Sequence, residues 1–277
     1  MIHILTDSTA DLGPALAERF GIQTVPLYVL MDNQTYQDGA GITTADLFRS
    51  VEKTGQLPKT SAPAVSDFMK VFQQPDQTIY IGLSSKLSAT VQNALLAQDN
   101  CEPGQVYTID SLNLSTGIGL LALKAAALRE QGCSAEEIAA QVRLLVPKVR
   151  SLFMIETLDY LHKGGRCSAL QNVMGSLLRI RPVIAVRPDG TLGVKGRTRG
   201  TRQKALQFML DDFSENLPEV DLERVFITHT GCDEDAEYLK QELLKLAPIQ
   251  EVLITDAGSV IASHCGPGTI GVLYLLK

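Results

Sequence analysis

The sequence predicts an α/β protein with two domains. Short apolar segments rich in β-branched residues alternate with longer segments of helical periodicity, which is typical of βαβ units around a mostly parallel sheet. A chain of 277 residues exceeds the usual size of a single domain. We therefore expect an α/β domain at residues 1–150 and an α+β domain at residues 151–277.

The predicted elements of the first half follow this alternation. Ser134 and Glu137 form a capping box that opens a helix toward Val146, and Pro147 ends that helix. Strands are predicted at 3–7, 25–31, 78–83 and 105–110. Helices are predicted at 14–20, 44–53, 65–74, 87–98 and 119–131.

Antiparallel pairing is expected in the second half. Asp189-Gly190, within residues 182–194, is the strongest hairpin signal in the chain. Further strands are predicted at 151–157, 225–230 and 251–255, and helices at 168–178, 201–213, 234–246 and after Gly268.

Composition narrows the class of protein. Lys plus Arg number 25 against 31 Asp plus Glu, a net charge of −6, which disfavours a nucleic-acid or anionic-membrane binder. No stretch approaches the ~18 uncharged apolar residues of a membrane span, and the amino terminus lacks a basic leader. We expect a cytoplasmic protein without stable membrane insertion. Its five widely spaced cysteines are expected to be reduced thiols rather than disulfides or zinc ligands.

Motifs for catalysis and cofactors find little support. Gly117-Ile118-Gly119 resembles a dinucleotide fingerprint, but no acidic residue follows about twenty residues later. Cys265 lies beside His264, yet in an extended segment consecutive side chains point to opposite faces, so no Cys-His pair is expected. We predict no catalytic residue, no metal site and no cofactor.

Short polar clusters remain at predicted strand ends and helix starts, at residues 7–11, 59–63, 83–90 and 263–268. Taken singly, such residues are most often helix caps. Arg166, on a loop with two glycines, adds a cation. Together, hydroxyls, an arginine and a histidine suit a small anion such as a carboxylate or a phosphate.

These clusters resemble the motifs of the DegV family, whose members bind fatty acids and share a fold with part of dihydroxyacetone kinase. The resemblance covers nearly the whole chain. It is carried by Thr6-Asp7-Ser8-Thr9-Ala10-Asp11, Lys59-Thr60-Ser61-Ala62-Pro63, Ser84-Ser85-Lys86-Leu87-Ser88-Ala89-Thr90, the segment from Leu158 to Arg166, and the segment from Gly258 to Gly268.

The resemblance implies that one long-chain fatty acid, such as hexadecanoate, is bound between the domains. Its carboxylate would be held by Thr60 and Ser88, with Ser61 and Ser85 as second choices, and by His264 and Arg166. It also implies a carrier that presents the acid to a separate fatty acid kinase. The chain departs from the family pattern at Ala62, Ala64, Ala89 and Cys265, positions that affect pocket shape rather than the proposed donors.

Alternatives stay open, one of which is a structural or regulatory binding module without a ligand. The shared fold and the hydroxyl-rich helix starts also suit a kinase-like or phosphate-handling enzyme, although fold alone is weak evidence for chemistry. From Arg181 to Lys204 the chain carries seven basic residues against one acid, Asp189. This segment is either a solvated hairpin surface or a docking site, formed by Arg197, Arg199 and Arg202, for an acidic partner such as the kinase.

Overall fold

The computed structural model describes residues 1–166 and 180–277, and it forms three sheets in that part of the chain. The strands are β1 (Ile2–Asp7), β2 (Ile22–Val25), β3 (Tyr28–Met31), β4 (Gln34–Gln37), β5 (Lys59–Ser61), β6 (Gln77–Gly82), β7 (Val106–Asp110), β8 (Val149–Met154), β9 (Ile180–Val186), β10 (Leu192–Arg199), β11 (Val220–His229), β12 (Glu251–Asp256) and β13 (Ile270–Leu276). The α-helices are α1 (Gly13–Arg19), α2 (Thr44–Thr54), α3 (Val65–Phe72), α4 (Thr90–Gln98), α5 (Thr116–Glu130), α6 (Ala135–Leu145), α7 (Asp159–Lys163), α8 (Arg202–Asn216), α9 (Asp233–Leu246) and α10 (Ser259–Cys265).

The first sheet has the order β2-β1-β6-β7, and all its pairs are parallel. β6 is buried along nearly its whole length, as expected for a parallel strand covered on both faces. Helices α3 and α4 pack beside Leu5 and Tyr80 on one face, and α5 and α6 cover the other. The predicted parallel α/β arrangement of the first half is confirmed.

The second sheet has the order β10-β9-β8-β13-β11-β12 and is antiparallel except for the pair β11 and β12. Its hairpin turns at Asp189-Gly190 as predicted, and Gly190 has φ +84°, a conformation that glycine adopts without strain. Helices α8 and α9 pack against this sheet. The mixed α+β character of the second half is therefore confirmed.

Helix α5 lies between the two large sheets and contacts both. Its residues from Thr116 to Leu123 are all buried, which explains why this part of the helix carries no charged side chain. A Cβ at Gly117 would overlap Asn113, and one at Gly119 would lie 2.8 Å from a methyl of Leu12. The two glycines thus allow close packing of α5 against its neighbours. This packing explains their spacing, and no bound dinucleotide is needed to explain it.

A third, three-stranded sheet of order β4-β3-β5 was not predicted. The predicted strand at 25–31 is wrong, because it divides at Pro26 into β2 and β3, which belong to different sheets. Pro26 has no N–H for the ladder, and the N–H of Leu27 donates instead to Ser8 Oγ at 3.0 Å. β5 brings Thr60 to the edge of this small sheet.

The end of the chain also differs from the prediction. No helix follows Gly268; β13 is an internal strand that pairs with β8 and β11. Its seven residues are apolar and mostly buried, a pattern that a short buried helix and a buried strand share. The predicted helix at 168–178 lies outside the described residues, and the domain division at 150/151 stays a prediction.

Within residues 1–166 and 180–277, no helix is long and apolar enough to span a bilayer. The same residues contain no group of three or more His, Cys, Asp or Glu side chains arranged to hold a metal ion. The four cysteines in the described ranges, Cys101, Cys133, Cys232 and Cys265, are free thiols.

Candidate functional site

An apolar cavity opens at the surface where three of the polar clusters meet. It encloses about 550 Å³ of space not filled by atoms, its open mouth included. Both halves of the chain contribute aliphatic side chains to its wall. The lining residues are Leu27, Thr60, Ser61, Ala62, Leu83, Leu87, Ser88, Leu114, Leu161, Arg166, Leu192, Val260, Ile261, His264 and Cys265.

The mouth of this cavity is polar, and its centre is the pair of Thr60 and His264. Thr60 is on β5 and His264 is in the last turn of α10, so the pair joins segments 204 residues apart in sequence. Thr60 Oγ1 and His264 Nε2 are 2.8 Å apart, a hydrogen-bond distance. Both side chains are half-buried, and both line the cavity.

Arg166 supplies the positive charge of the mouth. Its Nε donates to the carbonyl of Leu87 at 3.1 Å, and its Nη1 donates to the carbonyl of Gly164 at 2.6 Å. Backbone carbonyls carry no net charge, so these contacts orient the guanidinium without neutralising it. A guanidinium held in this way favours an anionic ligand at the cavity mouth.

The three predicted serines are placed differently. Ser88 lines the cavity just before α4, where its Oγ lies 2.8 Å from Thr90 Oγ1. Ser61 lines the outer rim and donates to the carbonyl of Ala62. Ser85 is exposed, does not line the cavity, and binds the Asp110 carboxylate through its backbone N–H. The geometry therefore brings Thr60, Ser88, His264 and Arg166 together and leaves Ser85 outside.

His264 is a neutral imidazole at physiological pH. Burial, and secondarily the charge of Arg166, lowers its pKa from 6.5 to about 4. Its Nδ1 is buried and has no hydrogen-bond partner among the described residues. Gly164 packs against this nitrogen so closely that a Cβ at Gly164 would overlap it. A neutral imidazole can donate a single hydrogen bond, so Arg166 supplies the formal charge of the mouth.

The motifs at this mouth fall within a family match that covers the whole chain. The DegV family model matches residues 1–277. The chain belongs to the DegV family. A DegV domain-containing protein from Caldanaerobacter subterraneus subsp. tengcongensis is 32% identical over 277 residues, with 99% of this chain and 98% of the relative covered.

Solved structures of other DegV proteins superpose closely on this DegV chain. One, from Thermus thermophilus, is described as showing fatty acid binding; it is 34% identical, with a TM-score of 0.94 over 100% of this chain and 99% of that one. DegV from Bacillus subtilis, described as a fatty acid binding protein, is 29% identical, with a TM-score of 0.89 over 100% of this chain and 99% of that one. These descriptions name binding and no catalytic activity.

A second apolar cavity, of about 340 Å³, lies deeper in this DegV chain. Leu114, Ile261 and Cys265 line both cavities, so the two adjoin across these side chains. The deeper wall includes Phe153 and Leu273 from the second sheet. Of these residues only Cys265 was expected to affect the pocket; Leu114, Ile261, Phe153 and Leu273 were not predicted as part of the site, because each has the same sequence signature as ordinary core.

Cys265 is a wall residue rather than a nucleophile. It lies in α10 and not in an extended segment, so the reason given above for rejecting a Cys-His pair is wrong. Burial raises the pKa of the thiol to about 12, with a smaller contribution from Asp11. The group stays protonated at neutral pH, and a protonated thiol is a poor nucleophile.

The first polar cluster has a structural role. The buried Asp7 carboxylate accepts hydrogen bonds from Tyr80 Oη and from the backbone N–H of Leu83, both at 2.8 Å. It also binds Thr9 within the same turn. Asp7 and Asp11 do not line this cavity but border a separate, more open cleft. This cluster supplies none of the predicted carboxylate donors, and the structure places it apart from them.

The lowered pKa of His264 predicts a pH-dependent stability. Between pH 6.5 and 4 the unfolded chain binds a proton at this histidine and the folded chain does not, so the ligand-free protein loses stability as pH falls through this window. We expect the loss from this one group to be about 2 kcal/mol at pH 4.5. Urea unfolding of the wild type and of His264→Gln at pH 7.5 and 4.5 measures it. A stability difference between the two proteins that does not change with pH contradicts the assignment.

Proposed function

We propose that this DegV chain binds one long-chain fatty acid, with its carboxylate at Thr60, Ser88, His264 and Arg166 and its tail in the apolar cavities. The observation that carries the proposal is the polar mouth at the opening of an otherwise aliphatic cavity, where the Arg166 guanidinium contacts backbone carbonyls and no carboxylate of residues 1–166 and 180–277. The fatty acid binding described for the Thermus thermophilus and Bacillus subtilis proteins supports it.

The tail supplies most of the affinity. Burial of about fourteen methylenes of hexadecanoate contributes on the order of 11 kcal/mol before association costs, at about 0.8 kcal/mol each. Each hydrogen bond to the carboxylate contributes roughly 1.5–3 kcal/mol. The aliphatic wall therefore holds the ligand, and the four polar residues fix which end faces the mouth.

The polar residues hold a carboxylate without reacting with it. The neutral His264 donates through one ring nitrogen, and hydroxyls of Thr60 and Ser88 can donate as well. Binding alone needs neither a nucleophile nor a general base. The arrangement therefore suits a carrier better than a kinase-like or phosphate-handling enzyme.

Lipid analysis tests the proposal directly. Native mass spectrometry of the purified protein is expected to show one bound acyl chain per protein, and denaturation is expected to release a free fatty acid of about sixteen carbons. Cys101→Ser, which removes a thiol at a position outside the cavity lining, is the control for effects of substitution and purification. It is expected to carry the same lipid. Release of only a nucleotide or a phosphorylated sugar contradicts the proposal.

We further propose that the protein works in the cytoplasm and presents the bound acid to a separate kinase. The carboxylate residues lie at a half-exposed mouth, where a second protein can reach them. Arg197 and Arg199 are exposed and alternate along β10, the edge strand of the second sheet, so they share a face. A positively charged strand edge suits an acidic partner.

Arg202 is less suited to this docking role than the sequence suggests. Its guanidinium donates to Glu156 at 2.6 Å and to the carbonyl of Gly268 at 2.7 Å, and it also binds Asp235. These partners occupy the side chain within the fold. The docking proposal therefore rests on Arg197 and Arg199.

The double variant Arg197→Glu, Arg199→Glu is expected to slow association with the kinase without releasing bound lipid, because steering by charge acts on the association rate. Stopped-flow association over a range of salt concentrations measures the effect. The control is Lys53→Glu with Lys70→Glu, which makes the same charge change at exposed positions on α2 and α3. Unchanged kinetics in the Arg197 and Arg199 variant at every salt concentration contradict the docking proposal.

A further inference from the structure

Helix α10 begins without a capping side chain of its own, because its N-cap residue is Gly258. Two carboxylates from distant parts of the chain take that place. The N–H of Gly258 donates to Asp11 Oδ1 at 2.8 Å, and the N–H of Val260 donates to Asp38 Oδ1 at 3.2 Å. These free N–H groups at a helix start need partners, and anionic acceptors are favoured there.

The two carboxylates are built into the fold. Asp11 and Asp38 are each 5% exposed, and no ion pair to either occurs within residues 1–166 and 180–277. Ser115 Oγ donates to Asp11 Oδ2 at 2.6 Å. Buried carboxylates without cations depend on such donors, so the start of α10 and these two side chains hold one another in place.

Glycine at position 258 makes this arrangement possible. A Cβ there would lie 3.0 Å from Asp38 Oδ1 and 3.2 Å from Asp11 Oδ1, closer than ordinary van der Waals contact. The surrounding segment adds two further anchors. Ser259 Oγ donates to the carbonyl of Ile42 at 3.2 Å, and Thr44 Oγ1 donates to the carbonyl of Ala257 at 3.1 Å. The amino end of α10 is therefore fixed from several sides.

The other end of the same helix forms the site. α10 has seven residues, so His264 lies only about 9 Å along the helix axis from Gly258, at 1.5 Å per residue. Val260, Ile261 and Cys265 of this helix line the cavity. So short a helix moves as a unit, and a displacement of its start moves the His264 ring relative to Thr60 on the separate strand β5.

We propose that Asp11 and Asp38 are positioning residues for carboxylate recognition, which hold α10 so that the His264 ring meets Thr60 at the mouth of the cavity. This inference rests on the proposed fatty acid binding. It assigns a function to Asp11, the last residue of the first polar cluster. It assigns the same function to Asp38, a residue that no sequence pattern marks as part of a site. Neither carboxylate contacts the ligand itself.

The test compares two ligands that share a tail and differ in the head group. Binding of hexadecanoate depends on the relative positions of His264 and Thr60, because they contact its carboxylate. Binding of hexadecanol depends mainly on the aliphatic wall of the cavity. Asp38→Ala is expected to weaken hexadecanoate binding about tenfold, the effect of one misplaced hydrogen bond to a charged group, and hexadecanol binding by less than about threefold. Asp38→Asn keeps an oxygen acceptor for the Val260 N–H, and it is expected to recover most of the hexadecanoate affinity.

A double-mutant cycle with His264→Ala separates positioning from general destabilisation. In the His264→Ala background, Asp38→Ala is expected to have no further effect on hexadecanoate binding. The matched control is Glu137→Ala, which removes the capping carboxylate of α6, a helix that does not line either cavity. It is expected to leave the binding of both ligands unchanged. Should Asp38→Ala not fold, Asp38→Ser replaces it, since its shorter side chain does not reach Val260.

Three outcomes overturn the inference. The first is an equal loss of hexadecanoate and hexadecanol binding in the Asp38 variant, and the second is a full additional loss in the His264→Ala background. The third is unchanged hexadecanoate binding in a folded Asp38→Ala or Asp38→Ser variant. A wild-type protein that binds neither ligand refutes the proposed fatty acid binding itself, a result distinct from these three.

Discussion

Cys265→Phe is expected to abolish tight binding of hexadecanoate while shorter acids still bind. Cys265 is 5% exposed and lines both the outer and the deeper cavity. A phenyl ring at this position fills the space where the cavities adjoin, so the distal part of a long tail has no place to go. Exclusion of about six methylenes costs about 5 kcal/mol, or more than a thousandfold in affinity.

Calorimetry with acids of eight to eighteen carbons measures this effect. Octanoate and decanoate are expected to bind the variant about as well as they bind the wild type. Cys265→Ala is the control, and since it enlarges the channel, it is expected to retain hexadecanoate. Thermal unfolding of both variants shows whether the larger ring fits the folded protein. Full hexadecanoate affinity in a folded Cys265→Phe variant would mean that the tail takes a path outside the two cavities.

Thr60→Val is expected to weaken hexadecanoate binding by about ten- to a hundredfold, because it removes a hydrogen-bond donor to a charged group. The same change also leaves His264 Nε2 without its 2.8 Å partner. The effects of Thr60→Val and His264→Ala are therefore expected to be less than additive. Binding of hexadecanol, which has no carboxylate, is expected to change by less than about threefold.

Fluorescence competition with a labelled fatty acid measures both affinities. Ser85→Ala is the matched control for loss of a hydroxyl near the mouth, since Ser85 is exposed and does not line the cavity. It is expected to bind like the wild type. An equal loss in Ser85→Ala and Thr60→Val would contradict the assignment of the carboxylate site to the cavity mouth.

Local signals explain which parts of the fold were predictable. The capping box of Ser134 and Glu137 and the Asp189-Gly190 turn each depend on residues close in sequence, and both are found as predicted. Pro26 divides one apolar run between two sheets, and the final strand resembles a short helix in composition. Sheet membership and strand partners are long-range properties, so local patterns do not determine them.

The polar part of the site was more predictable than the apolar part. The hydroxyls, the arginine and the histidine could be named because they fall in short clusters that resemble the motifs of the DegV family. Leu114 and Ile261 do not, because an aliphatic residue beside a ligand and one in the core carry the same signature. Asp38 contacts α10 from 222 residues away in sequence, and nothing in its local sequence indicates that contact.

Helix α5 opposes any motion that would separate the two large sheets. Because its buried surface packs on both large sheets, a hinge motion that separated the two halves would expose apolar side chains along most of its length to water. The energetic penalty of such an opening favours exchange through small movements around the mouth. If the cavities hold a fatty acid as proposed, the acid is expected to dissociate slowly from the protein alone, and a partner that loosens the mouth on contact would set the rate of delivery.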